Sequence, residues 1–118
     1  MFAGSDAHLR SYSYVGDMVD GLCAAMDHFD HCVGEIFNLG AEEAITTAQA
    51  IRVAEELIGR PARIVAHARR ASEQLRTRAN SAKARRVLGF APRVSLEDGL
   101  ARQIAWYRAH ISGKLKLW

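Results

Sequence analysis

Two arginines, Arg10 and Arg70, are the residues best placed by type and spacing to do chemistry. Arg10 stands just before a run of alternating polar and larger residues. Arg70 lies in a basic stretch of Arg69, Arg70, Arg76, Arg78, Lys83, Arg85 and Arg86. Two guanidinium groups brought from distant segments can clamp a diphosphate, because each planar fork offers paired N–H donors to phosphate oxygens and keeps its charge. Long charged side chains are mostly exposed, so by pattern alone both read equally as solvated surface arginines. A basic stretch calls for an anionic partner: nucleic acid, phosphate or an acidic sugar. Nucleic acid is the weakest of these. The chain has no helix-turn-helix or RNP-like motif, and no aromatic residue lies among these arginines.

Other chemistry-bearing residues read as structural. His28, His31 and Cys32 look superficially like metal ligands, but ordinary zinc sites need four ligands at recognised spacings, so a polar loop after a helix is expected and no metal. Cys23 falls beside an apolar helix face and is expected to fill core. Trp106 and Tyr107 are expected to pack rather than to stack on bases.

The elements that must position these residues follow from periodicity and capping. Ser11 to Val15 alternates and predicts a strand. Asp17 then suits a helix N-cap, with Met18, Leu22, Met26 and Phe29 at helical spacing and Val19 and Cys23 alongside. Glu35 to Leu39 predicts a second strand, closed by Gly40. Thr46 and Gln49 form a capping box for a helix running to Ile58, stopped by Gly59 and Pro61. Arg63 to Ala66 predicts a third strand, and Ala68 to Arg78 an exposed loop. Asn80 caps a short helix ending at Gly89. Ser95 opens the last helix, with Leu96, Leu100, Ile104, Tyr107 and Ile111 in a stripe and Gly113 as its stop. The expectation is an α/β fold of four helices and three short strands, in one domain over 1–118 with 113–118 as a tail.

With 118 residues, 49% hydrophobic and 25% charged, the chain has the balance of a globular domain rather than a disordered one. Met1 to Arg10 shows neither the basic start nor the apolar run of a signal peptide, and no stretch approaches the roughly 20 apolar residues of a membrane span. Two cysteines are too few for a disulfide framework, so a cytoplasmic protein with free thiols is expected.

Several segments in register resemble the extended short-chain dehydrogenase/reductase family of NAD-dependent nucleotide-sugar epimerases, dehydratases and decarboxylases. Leu9 to Gly21 (LRSYSYVGDMVDG) resembles that family's Arg-Asp-aromatic segment running into an apolar helix, and Phe37-Asn38-Leu39-Gly40 its Asn-Leu-Gly strand. Thr46-Thr47 is similar to the start of its next helix. Asn80 to Phe90 with Pro92, and Val94 to Leu100, resemble its two closing motifs. UDP-sugar and dTDP-sugar enzymes are the flavours it is most similar to.

The resemblance implies that Arg10 and Arg70 contact the diphosphate of a nucleotide sugar. Arg70 normally opens an Arg-Pro-Gly-Asp turn, which reads Arg70-Ala71-Ser72-Glu73 here, and Ser11 stands where an Asp is usual. The family's other requirements are missing from these residues. No Gly-x-x-Gly-x-x-Gly opens a βα unit. No tyrosine is followed four residues later by lysine: Tyr12, Tyr14 and Tyr107 are followed by Gly16, Met18 and Ile111. The resemblance therefore implies the C-terminal, substrate-binding lobe, without the Rossmann half, with no catalytic residue and no NAD site of its own. In the family the first helix and the Asn-Leu-Gly strand pack against the dinucleotide-binding sheet. Residues 12–40 are accordingly expected to seek a partner, either the NAD-binding half or another copy in a homo-oligomer. A fragment, a truncated product and a small protein reusing the lobe are all compatible with this reading. So is a non-catalytic interaction or ligand-binding module.

Overall fold

The computed structural model describes residue 1, residues 3–68 and residues 74–111. Four helices dominate: α1 (Val15–Asp27), α2 (Thr47–Ile58), α3 (Ala82–Leu88) and α4 (Leu96–His110). Three two-residue strands, β1 (Leu9–Arg10), β2 (Ile45–Thr46) and β3 (Arg76–Thr77), form one mixed sheet in the order β2-β1-β3. β1 lies in the middle, antiparallel to β2 with Arg10 opposite Ile45, and parallel to β3 with Arg10 opposite Thr77.

The helix boundaries follow local rules. Thr46 and Gln49 make the complete capping box: the Gln49 N–H donates to Thr46 Oγ1 at 3.1 Å, and the Thr46 N–H donates to Gln49 Oε1 at 2.8 Å. Ser95 accepts from the Asp98 N–H at 3.1 Å and opens α4. Gly59 and Gly89 stop α2 and α3 at φ of 81° and 66°, where a Cβ would be strained. Two predicted caps differ. α1 begins at Val15, so Asp17 is its third residue and caps nothing locally. Ser81 is the N-cap of α3, while Asn80 Oδ1 takes the Ala82 N–H at 3.2 Å.

The three predicted strands are not the three observed. A strand exists only through its ladder, and Ser11 to Val15 finds none: residues 11–14 belong to no helix or strand and Val15 already belongs to α1. Glu35 to Leu39 joins no ladder among the described residues. Side chains hold that segment instead, with Ser81 Oγ donating to Gly40 O at 2.9 Å and Lys83 Nζ to Ile36 O at 3.0 Å. Arg63 to Ala66 is irregular, and the backbone bridge falls at His67, which pairs with Met1 and Ala3 at 2.8 Å each. Within the predicted exposed loop, Arg76 and Thr77 turn out to form β3. Arg70 and the tail 113–118 lie outside the described residues.

Packing divides into two layers. α1 lies against α3, and α2 against α4. The fully buried apolar core of the described residues is Ala84, Leu88 and Phe90, with Met18, Ala24, Phe37 and Leu39 packed on it. α1 approaches this core through Met18 and the small residues Gly21, Ala24 and Ala25. A Cβ on Gly21 would sit 2.8 Å from Leu39 Cδ1 and 2.9 Å from Phe90 Cδ2. Its other side is bare: Leu22 and Met26 are 60% and 74% exposed, and Phe29 just beyond the helix is 66% exposed. Cys23 is exposed, contrary to its expected place in the core, because it shares that outer side. Trp106 is 55% exposed and stacks on His110 at 5.2 Å instead of packing inward.

Candidate functional site

Arg10 occupies the central strand of the sheet, half-buried, with its guanidinium tied to backbone. Nη1 donates to Leu9 O at 2.8 Å and Nη2 to Gln74 O at 2.7 Å, with His8 Nδ1 at 3.4 Å from Nη2. A guanidinium has five N–H donors, so two carbonyl bonds fix its plane and leave donors for an anion. The Gln74 bond matters for position. Three residues lie between Arg70 and Gln74, and the described structure resumes at Gln74, bonded to the Arg10 side chain. His8, beneath Arg10, is 3% exposed. Its carbonyl accepts from the Thr47 N–H at 3.0 Å, which ties the strand to the first turn of α2. Next to Arg10, Ser11 Oγ is buried and has no hydrogen-bond partner among the described residues.

Two open clefts flank the segment that follows. One, of about 540 Å³, lies between Tyr12–Val15 and α4 and is lined by Tyr14, Arg102 and Trp106 among others. The other, of about 450 Å³, lies towards α2 and is lined by Glu43, Arg52 and Glu97 among others. Tyr12 borders both. The Arg102 guanidinium lies 5.2 Å from the Tyr14 ring centre, a cation–π contact that holds the wall of the larger cleft. Arg10 lines neither cleft among the described residues.

The basic stretch is partly spent on structure. Lys83 pairs with Glu35 and lies 4.6 Å from the Phe37 ring centre. Arg85 pairs with Glu42 at 2.9 Å. Hydrogen bonding and charge from Lys83 hold the Glu35 carboxyl below its ordinary value of 4.5, and the Arg85 hydrogen bond does the same for Glu42. These pairs fasten the segment 35–42 to α3. His28 and His31 are exposed, the ring of His28 bonded to Ala24 O at 2.9 Å. Among the described residues, no cluster of His, Cys, Asp or Glu could hold a metal ion.

Asp17 is the residue that sequence reasoning misplaced. It is 6% exposed, and its carboxylate accepts the backbone N–H groups of Arg93 at 3.2 Å and Val94 at 3.1 Å. It thereby pins α1 to the turn that feeds α4, and so fixes the shape of the larger cleft. Its acidity and its place at a helix start were visible, but the partners lie 76 and 77 residues away.

No family model matches the chain. It is 30% identical over 111 residues to an uncharacterised UDP-glucose epimerase of Bacillus subtilis, covering 94% of this chain and 35% of that one. It is 34% identical over 108 residues to UDP-glucuronic acid decarboxylase 1 of Arabidopsis thaliana, covering 92% and 24% respectively. The fold superposes with a TM-score of 0.81 and 27% identity on the UDP-glucuronic acid 4-epimerase of Bacillus cereus solved with UDP-glucuronic acid and NAD, covering 90% of this chain and 34% of that one. The chain spans about a quarter to a third of the length of the relatives it matches. Among the described residues, no helix is long and apolar enough to cross a membrane.

Proposed function

We propose that this chain, which is homologous over about a third of their length to NAD-dependent nucleotide-sugar epimerases and dehydratases of the extended short-chain dehydrogenase/reductase family, is their C-terminal lobe and holds the diphosphate of a UDP- or dTDP-sugar. Arg10 is the fixed half of the clamp and Arg70 the other. The observation that supports this reading is the Arg10–Gln74 bond, since Gln74 stands four positions after Arg70 in the sequence. Both cations then approach one ligand from two segments, as paired recognition of a diphosphate requires.

NAD and the chemical step belong to the remainder of a full-length family chain. These residues carry no glycine-rich pyrophosphate cradle and no tyrosine with an adjacent lysine to lower its pKa. An unassisted phenol titrates near ~10 and is a poor base at neutral pH. Calorimetry with a UDP-sugar tests the clamp. Arg10→Ala and Arg70→Ala are each expected to weaken binding by about 2 kcal/mol, the lower end for a buried charge pair because Arg10 is only half-buried. Unchanged affinity in both variants overturns the reading.

A further inference from the structure

His8 immediately precedes β1, with extended backbone at φ −66° and ψ 133°. Residues two apart in extended chain project to the same side, so the His8 ring and the Arg10 side chain are neighbours. His8 is 3% exposed, and a ring so deeply buried needs partners for its nitrogens. Its Nδ1 lies 3.4 Å from Arg10 Nη2. A guanidinium only donates, so Nδ1 is the acceptor at this contact, and the ring is neutral with its proton on Nε2. The contact is long for a hydrogen bond, so it sets where the guanidinium lies more than it adds stability.

The ring is itself held by backbone on two sides. The His8 N–H donates to Ser5 O at 3.2 Å, and the His8 carbonyl accepts the Thr47 N–H at 3.0 Å. The imidazole is therefore a fixed post between the turn at Ser5 and the start of α2. Leu9 O, Gln74 O and His8 Nδ1 are three acceptors on one guanidinium, and only the third belongs to a side chain.

We propose that His8 is a positioning residue for Arg10, its neutral imidazole holding the guanidinium in the orientation that receives an anion. That the anion is a diphosphate rests on the function proposed above; the hold on Arg10 does not. A free arginine gives up rotamer freedom when it binds a ligand, and one already held has less to give up. His8 acts through Arg10 and needs no contact of its own with the ligand.

Two variants separate the acceptor from the bulk of the ring. His8→Asn can place a carbonyl oxygen where Nδ1 lies, whereas His8→Leu fills similar space without an acceptor. NMR of the ligand-free chain in mildly alkaline buffer is expected to show the Nε2–H tautomer of His8 and a sharp Arg10 Nε–H signal slow to exchange with water. His8→Asn keeps that arginine signal and His8→Leu broadens it. Calorimetry with UDP is expected to show roughly fivefold weaker binding for His8→Leu, and His8→Asn within about twofold of wild type. In an Arg10→Ala chain, His8→Leu is expected to have no further effect, because the two residues act as one unit. The Nδ1–H tautomer, an unchanged Arg10 signal in His8→Leu, or equal losses in folded His8→Asn and His8→Leu overturns the proposal. The wild-type tautomer and His8→Asn still decide it where His8→Leu fails to fold. If Arg10→Ala binds UDP as wild type does, the diphosphate reading falls, and the ligand-free spectra still decide whether His8 holds Arg10.

Discussion

Replacing Asp17 should cost more stability than any exposed charge in this chain. The carboxylate is buried and accepts two backbone N–H groups, from Arg93 and Val94. A hydrogen bond to a charged group contributes about 1.5–3 kcal/mol, and a donor left without a partner adds a desolvation cost. Both donors are only partly buried, so water can recover some of the loss in the variant. Asp17→Ala is therefore expected to destabilise by about 3–4 kcal/mol. Asp17→Asn retains one acceptor oxygen and turns an amide NH₂ towards the second donor, so about half that loss is expected. A domain of this size has about 5–15 kcal/mol in hand. Urea unfolding followed by circular dichroism reads the difference directly. At a slope of about 1.5 kcal/mol per molar, the midpoint for Asp17→Ala should fall by about 2 M. A midpoint within ~0.3 M of wild type would refute the role given to this carboxylate.

Gly21→Ala should destabilise despite the better helix propensity of alanine. The gain of about 1 kcal/mol is outweighed by a Cβ placed 2.8 Å from Leu39 and 2.9 Å from Phe90, since overpacking costs about 1–3 kcal/mol. A raised urea midpoint would contradict the close approach of α1 to the core. Glu35 and Glu42 both have carboxyl values lowered by their cationic partners. Groups depressed in the folded state contribute stability that is present above their ordinary value of 4.5 and is lost as pH falls through the lowered values. A Lys83→Met, Arg85→Met double variant should therefore show a smaller loss below that pH. Superimposable acid profiles would remove these pairs from the account.

The legible parts of the fold were the local ones. Thr46 with Gln49, Ser95 with Asp98, and the stops at Gly59 and Gly89 each involve residues within one turn, and each was readable from residue type alone. The strands were not, because Leu9–Arg10 becomes a strand only by meeting Ile45–Thr46 and Arg76–Thr77, and two-residue pairings leave no periodic signal. Ser11 to Val15 and Glu35 to Leu39 carried the signal and found no ladder. Asp17 was legible as an acid at a helix start and illegible as the anchor of the turn at 93–94. Cys23 was placed on the correct helix and the wrong side of it, since α1 meets the core through Met18, Gly21, Ala24 and Ala25 and turns Leu22, Cys23 and Met26 outward. At the candidate site, pattern alone left Arg10 a surface arginine. The family resemblance singled it out, and the structure added its bond to Gln74.

The central claim is that these residues bind a nucleotide sugar by its diphosphate, and comparative calorimetry of the wild-type chain with UMP, UDP and a UDP-sugar tests it most directly. The account predicts weak binding of UDP and the UDP-sugar, because only part of a pocket wall is present to bury ligand. It predicts UMP at least about tenfold weaker, a difference of ~1.4 kcal/mol for the second phosphate, and no binding of NAD at micromolar concentration. UMP binding as tightly as UDP, or NAD binding in the absence of the glycine-rich cradle, would contradict it.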